Sequence, residues 1–410
     1  MRHYGLLAAG LVAFASAASA QQLAPSPTLD AIKARGHLEC GVHLGLPGFS
    51  FANDKGEWSG IDVDYCRALA AAVLGDATKV KFTPTSVQQR WPILQSGQVD
   101  LLSRNTTITF SRNATLGINF QGINFYEGQT FIVRTSANAK KPDDLDGATV
   151  CVTAGSTEEK NAGDWFAERK KKITIINFQK NDDAISAYDS GRCDAYTAGV
   201  GALAGQRIKL KTPGDHLIMT DLISNDPQGP VTRWGDERWQ LVVRWVLNGM
   251  IAAEALGVTS KNVDEMKAKS TSAEVRRLLG TEGGFGAMMG ISNDPQGPTT
   301  RWGDERWQLV VRWVLNGTIA AEALGVTSKN VDEMKAKSTS AEVRRLLGSE
   351  GGFGAMMGLS NDWMYNAIKQ VGNYGESYER TVGMGSPLKL ARGKNELWTK
   401  GGLLFTSPFQ

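Results

Sequence analysis

Residues 79–113 read KVKFTPTSVQQRWPILQSGQVDLLSRNTTITFSRN. A strand-like stretch, Lys79–Thr85, leads into a short helical pattern that Gly97 stops, and Val99–Ser103 is again strand-like. Strand, helix and strand in that order form the repeating unit of an α/β fold with parallel strands. The second strand runs into Arg104, Asn105, Thr106, Thr107, Arg112 and Asn113, a run rich in hydrogen-bonding groups. In open α/β sheets ligands bind beyond the carboxyl ends of the strands, so this run lies where a bed of donors for an anion would be built. A solvated loop, a polar strand edge, or a glycosylated loop at the N-x-T sequences of Asn105 and Asn113 would accommodate the same residues.

The same grammar extends in both directions. HLECGVHL (His37–Leu44) reads as a strand, GLPGFSF (Gly45–Phe51) as the loop after it, and DVDYCRALAAAVLG (Asp62–Gly75) as a helix with a glycine stop. A second block begins after GQTFIVRT: DDLDGATVCVTAGSTEEKNAGDWFAER, then ITIINF, NDDAISAYDSG and RCDAYTAG, again loop, strand, turn, helix, strand, helix, strand. Ser156 and Thr157 open a helix whose free N–H groups favour an anion. GVGALAG (Gly199–Gly205) lacks the G-x-G-x-x-G dinucleotide pattern and reads as a turn. Two α/β blocks imply two lobes, with a ligand cleft between them.

Composition bounds the rest. The 20 residues MRHYGLLAAGLVAFASAASA have a basic start, an apolar run and a small-x-small end, the form of a secretory signal cleaved near Ala20. No other segment approaches the roughly 20 apolar residues of a membrane span. The formal charge of +3 on 410 residues, with both signs interspersed, gives no reason to expect nucleic acid. Cys40, Cys66, Cys151 and Cys193 in an exported chain suggest two disulfides rather than a metal site, paired within each lobe as Cys40–Cys66 and Cys151–Cys193. No zinc-ligand spacing and no cofactor motif is present.

The chain also repeats itself. Residues 224–291 and 292–359 differ only at Val231/Thr299, Met250/Thr318, Thr281/Ser349 and Ile291/Leu359, an offset of 68 residues. Solenoid repeats are more divergent and more numerous, so this reads as a segmental duplication within an ordinary domain. Either copy can supply the strand and helix that return the chain to the first lobe. The other copy then forms an appended helical unit, whose apolar face, Trp239 and Trp245 or Trp307 and Trp313, is expected to lack a partner and to promote self-association of an otherwise monomeric protein.

The ordered set CGVHLGLPGFSF, GEWSGIDVDYCRALAAAV, LQSGQVDLLSRNTTITFSRN, GSTEE and SGRCDAYT resembles the bacterial solute-binding proteins of polar amino-acid ABC transporters, family 3. The tail VGNYGESYERTVGMGSPLKLARGKNELWTKGGL is similar to the branch serving general L-amino-acid transport. The resemblance implies a two-lobed periplasmic-binding-protein fold of type II, each lobe a mostly parallel sheet flanked by helices, with a helical C-terminal extension. It divides the chain into a signal peptide (1–20), the first part of lobe 1 (21–130), lobe 2 (131–223), the return to lobe 1 in repeat copy 1 (224–291), copy 2 (292–359) and a C-terminal extension of lobe 1 (360–410). It implies a periplasmic protein without catalytic residues, cofactor or metal, which closes on an L-amino acid and delivers it to an inner-membrane permease.

By the same resemblance Arg112 forks onto the ligand carboxylate, aided by Thr107 and Asn105, and Arg90 reaches a polar ligand side chain. Phe49 and Phe51 cover the ligand, and Ser156 and Thr157 contribute from the opposite lobe. Many relatives carry an Asp for the ligand ammonium where this chain has Gly199, so weaker amino-acid binding, a substitute carboxylate at Glu158 or Asp194, or a ligand without the amine is expected. A secreted dehydratase of cyclohexadienyl acids on the same fold is the alternative. It needs a general acid or base that the matched loops offer only in Glu158 and Glu159.

Overall fold

The computed structural model describes residues 26–281, 305–386 and 389–409; the signal-peptide reading and the head of copy 2, residues 292–304, lie outside them. The two blocks form two five-stranded sheets. In the first, the strands lie in the order Val80–Thr85, Leu38–His43, Leu101–Leu102, Val231–Arg233, Ile118–Phe120. In the second the order is Thr174–Phe178, Thr149–Thr153, Ala195–Gly199, Gln129–Arg134, His216–Ile218. Each sheet begins with three parallel strands and ends with two joined antiparallel, so the sheets are mixed rather than wholly parallel. The antiparallel pairs arise where the chain passes between lobes: Phe125–Glu127 leaves and Asp226–Gln228 returns beside it as an antiparallel ladder.

The parallel strands are apolar where the sheet is covered. Leu38, Cys40, Val42 and Leu101 are buried under the Ile61–Leu74 helix, with Tyr65, Cys66 and Leu69 in the same cluster. Cys40 and Cys66 are bonded across that strand–helix contact, and Cys151, on Thr149–Thr153, is bonded to Cys193 in the loop just before the neighbouring strand Ala195–Gly199. Each disulfide therefore stays within one lobe and leaves the passage between lobes uncrossed.

The repeat is used in an asymmetric way. Copy 1 supplies the inserted strand Val231–Arg233 and the helix Glu237–Ala255, N-capped by Asp236. The Trp239, Val243 and Leu247 stripe of this helix packs into the first lobe, and Trp239 Nε1 donates to Asp100 O at 3.0 Å. In copy 2, the same sequence but for Thr318 in place of Met250 forms Glu305–Ala323 and buries a different stripe, Leu309, Val310, Trp313, Ala320 and Ala321, against Met364, Ile368 and Phe409 of the C-terminal extension. The more exposed stripes are the counterparts of the buried ones. Trp307, matching Trp239, is 55% exposed, while Trp245, matching Trp313, is half-buried and Ile251, matching Ile319, is 51% exposed.

Polar contacts follow the same division. In copy 2, Glu322 pairs with Arg392, Ser328 bonds Glu376, Asp332 bonds Lys369 and Tyr365, and Lys335 bonds Asp362. Their copy 1 counterparts Glu254, Ser260, Asp264 and Lys267 are exposed. The expectation of a bare appended copy is thus corrected. The appended copy is covered by the C-terminal extension, and the bare face lies on copy 1. The extension itself rests on copy 2 and reaches the first lobe through Phe110, whose ring centroid is 5.5 Å from that of Phe409.

Helices that differ only at Met250/Thr318 but bury different faces give a direct test. Trp239→Ala and Trp313→Ala should each destabilise by about 3–5 kcal/mol, whereas Trp307→Ala should cost less than about 1 kcal/mol in urea unfolding. Equal losses at Trp239 and Trp307 would show that the two copies are not divided in this way. Deleting Ser292–Leu359 lets one helix bury both stripes under sheet and extension. The shortened protein should fold and gain about 1.5–3 kcal/mol for each large side chain newly buried, with a blue-shifted tryptophan emission; a non-cooperative melt would contradict it.

Candidate functional site

The polar run that follows Leu101–Leu102 faces the second lobe. A cleft between the lobes is lined on one side by Val87, Arg90, Arg104, Asn105, Thr107 and Arg112, and on the other by Thr153, Ser156, Thr157, Glu158, Asn181 and Tyr196. The lobes stand closed. Thr107 Oγ1 is 3.3 Å from Thr157 Oγ1, Gln88 Nε2 donates to Ala154 O at 2.8 Å, and Lys209 Nζ donates to Gly45 O at 2.7 Å.

Local structure fixes each side chain. Arg112 sits on the short helix Phe110–Thr115, capped by Thr109, whose hydroxyl accepts from Arg112 N at 3.4 Å. Phe110 roots that helix among Trp313 and Phe353, each with its ring centroid 4.8 Å away, so the appended helical unit holds the Arg112 helix in place. Arg112 Nη1 donates to Thr107 O at 2.7 Å, which ties the guanidinium to the loop it shares. Across the cleft Ser156 caps the Thr157–Glu168 helix by accepting from Glu159 N at 3.3 Å, leaving Thr157 and Glu158 at its first turn.

Three guanidinium groups meet here. Arg90 is 3% exposed and Arg104 2%, and burial lowers the pKa of both; Arg104 and Arg112 fall to about 10. Arg90 Nε and Nη2, Arg104 Nε and Asn105 Oδ1 are buried with no hydrogen-bond partner among the described residues. Among the described residues, Glu158 is the one carboxylate lining the cleft. A buried cation without a partner is costly, so this arrangement is suited to an anion arriving from outside.

Of the residues expected from the sequence, Arg90, Asn105, Thr107, Arg112, Ser156 and Thr157 line the cleft. Phe49 and Phe51 do not. The 45–51 loop turns back on itself, with Leu46 N donating to Ser50 O and Ile61 N to Gly48 O. It aims Phe49 at Phe125, 5.0 Å between centroids, while Phe51 pairs with Ser59 in a two-residue ribbon. Gly199 ends a strand, and a Cβ there would collide with the carboxyl group of Glu127; at Gly201 it would meet the Phe49 ring at 2.8 Å. GVGALAG is therefore the start of a helix, Val200–Arg207, whose glycines leave room for two side chains from elsewhere. Asp194 bonds Thr149 at the opposite strand end, so of the two substitutes for the absent Asp only Glu158 reaches the cleft. Arg104, Asn181 and Tyr196 carry no sequence signal beyond their position at strand or helix ends.

The sequence profile of the bacterial extracellular solute-binding proteins, family 3, matches residues 38–275. The general L-amino acid-binding periplasmic protein AapJ of Rhizobium johnstonii is 39% identical over 98% of this chain and 96% of its own. The glutamate/glutamine/aspartate/asparagine-binding protein BztA of Rhodobacter capsulatus is 36% identical over 98% of this chain and 96% of its own. Among solved structures, a periplasmic binding protein from Brucella ovis with glutathione bound is 41% identical and aligns with a TM-score of 0.53, covering 93% of this chain and 99% of that one.

Burial around the cleft also leaves a pH signature. Desolvation raises Asp62 to about 6, Asp226 to about 7 and Glu127 to about 8, so these groups bind more protons folded than unfolded. The stability they contribute is present at low pH and lost as pH rises through those values. His43 and His216, lowered by burial, act in the opposite sense near their ordinary pKa and leave the range above it to Glu127. Stability in urea should therefore fall between about pH 7 and 8, by less than about 1.4 kcal/mol per pH unit, and Glu127→Gln should flatten that segment. A parent profile already flat there would place the Glu127 titration elsewhere.

Proposed function

The chain belongs to the bacterial extracellular solute-binding proteins, family 3, and from that premise we propose that it is the periplasmic component of an amino-acid ABC importer, capturing an L-amino acid between its lobes and presenting it to the membrane permease. The observation that carries this reading is the half-buried Arg112, tied to Thr107 and facing Ser156 and Thr157 across a cleft. A planar guanidinium matches a carboxylate bidentately. The hydroxyl groups on either side and the first turn of the Thr157–Glu168 helix add donors for the same anion. Glu158 takes the ammonium in place of the Asp that Gly199 lacks.

Capture proceeds by closure of the lobes about the ladder of Phe125–Glu127 and Asp226–Gln228. The ligand supplies the charge that makes closure favourable, and each disulfide moves with its own lobe. The leader sequence sends the mature chain, beginning near Gln21, to the periplasm, and the amino-acid names of the relatives favour binding over catalysis.

Calorimetric titration of the mature protein with L-amino acids should show binding that Arg112→Ala weakens by about tenfold to 150-fold, the equivalent of about 1.5–3 kcal/mol for a charge-assisted hydrogen bond. Failure of every L-amino acid to bind the parent, or unchanged affinity in Arg112→Ala, would overturn the reading.

A further inference from the structure

We propose that copy 1 carries a second docking face for the C-terminal extension, and that its occupant is the extension of a second copy of this chain, exchanged reciprocally in a dimer. The inference is independent of the ligand reading. It starts from an imbalance: the chain holds two near-identical faces and one extension.

The face in use is on copy 2. The extension helices Trp363–Val371 and Tyr374–Thr381 lie against Glu305–Ala323. Trp313, Val331, Leu346 and Leu347 are fully buried there beside Met364, Ile368 and Phe409. Where the helices cross, a Cβ on Gly317 would stand 2.6 Å from the Met364 side chain, so only glycine admits the extension this closely. Four polar contacts surround the apolar patch. Arg392 Nη2 donates to Glu322 Oε2 at 3.1 Å, Ser328 Oγ to Glu376 Oε1 at 2.7 Å and Tyr365 Oη to Asp332 Oδ1 at 2.7 Å, while Lys335 Nζ pairs with Asp362 at 2.6 Å.

None of the copy 2 residues in these contacts is among the four positions at which the copies differ. Copy 1 therefore presents the same face without its cover. Trp245, Val263, Leu278 and Leu279 match the four buried side chains and are only half-buried, and Glu254, Ser260, Asp264 and Lys267, which match the four polar partners, are exposed. Gly249, the counterpart of Gly317, is open: a Cβ there would touch only Leu278, at 4.0 Å. Apolar patch, crossing glycine and charges thus complement the extension in kind and in order.

Exchange remakes on copy 1 the contacts it breaks on copy 2, which is what makes swapping of an identical element a low-cost route to a dimer. It also uncovers the Trp313 face of copy 2. In an exchanged pair the two crossing chains bring two such faces together, and each buries the other. A move of the extension from copy 2 to copy 1 within one molecule would leave its single Trp313 face in water. That difference favours the dimer over an internal switch, and the crossing connection is copy 2 itself.

The mature protein, unfolded in urea with its disulfides intact and refolded at increasing concentration, should yield a dimer whose fraction, read by size exclusion with light scattering, rises with concentration. Gly249→Leu fills the crossing on copy 1 alone and should abolish the dimer without lowering the monomer's melting temperature. The partner of Arg392 identifies the exchanged segment. Arg392→Glu with Glu254→Arg sets like charges together in the monomer and opposite charges in the dimer; Arg392→Glu with Glu322→Arg does the reverse. The first should exceed the second in dimer-to-monomer ratio by at least about tenfold. A monomer at every refolding concentration, a dimer that persists in Gly249→Leu, or equal ratios in the two charge variants overturns the exchange.

Discussion

One short strand governs the architecture. Val231–Arg233 enters the first sheet between Leu101–Leu102 and Ile118–Phe120, antiparallel to both, after the chain has built the whole second sheet. The second lobe is thereby an excursion from the first, joined to it by two adjacent strands, and the cleft is what lies between an excursion and its root. Because Leu101–Leu102 is held on both sides, the residues just beyond it are delivered to the cleft edge. Arg104, Asn105 and Thr107 are there because the strand before them is pinned at the centre of a sheet.

That logic also explains what could be read from the sequence and what could not. The strand–helix units, the division into lobes and the carboxyl-end position of the polar run follow from periodicity and from the rule that parallel sheets bind ligands at one edge. The mixed character of the sheets does not, since Gln129–Arg134 and Val231–Arg233 owe their antiparallel direction to where the chain crosses between lobes, a tertiary fact. Arg104 reads locally as a solvated residue at a strand end, and only the approach of the second lobe buries it. The family resemblance puts Phe49 and Phe51 over the ligand; in the structure the turn that brings Leu46 N to Ser50 O sends Phe49 toward Gly201, and neither ring is among the residues lining the cleft.

The duplication separates sequence from environment with unusual clarity. One sequence, ERWQLVVRWVLNG, forms a helix in both places, as its propensity and spacing require. Which stripe it buries is set by what is already present: the first sheet takes Trp239, Val243 and Leu247, and the C-terminal extension takes Leu309, Val310 and Trp313. A helix apolar on two faces fits between two layers, and two copies allow each layer its own helix. The half-exposed stripe of copy 1 is the remainder of that arrangement, retained because the extension follows copy 2 directly in the chain.

The appended unit is also connected to the cleft. Phe110 lies in the same aromatic cluster as Trp313, Phe353 and Phe409, and two residues later Arg112 points into the ligand site. On the other side the unit reaches the second lobe, where Ala341 N donates to Glu168 Oε1 and Arg345 pairs with Asp164. Opening of the cleft must either break these contacts or carry the unit with one lobe. Its attachment to the first lobe is an apolar cluster closed by five aromatic rings, and its attachment to the second is polar and partly exposed. Burial of Phe110 in that cluster ties the unit to the first lobe, and an opening that carries the unit with the first lobe must break the pair of Asp164 with Arg345, whose side chain is 5% exposed.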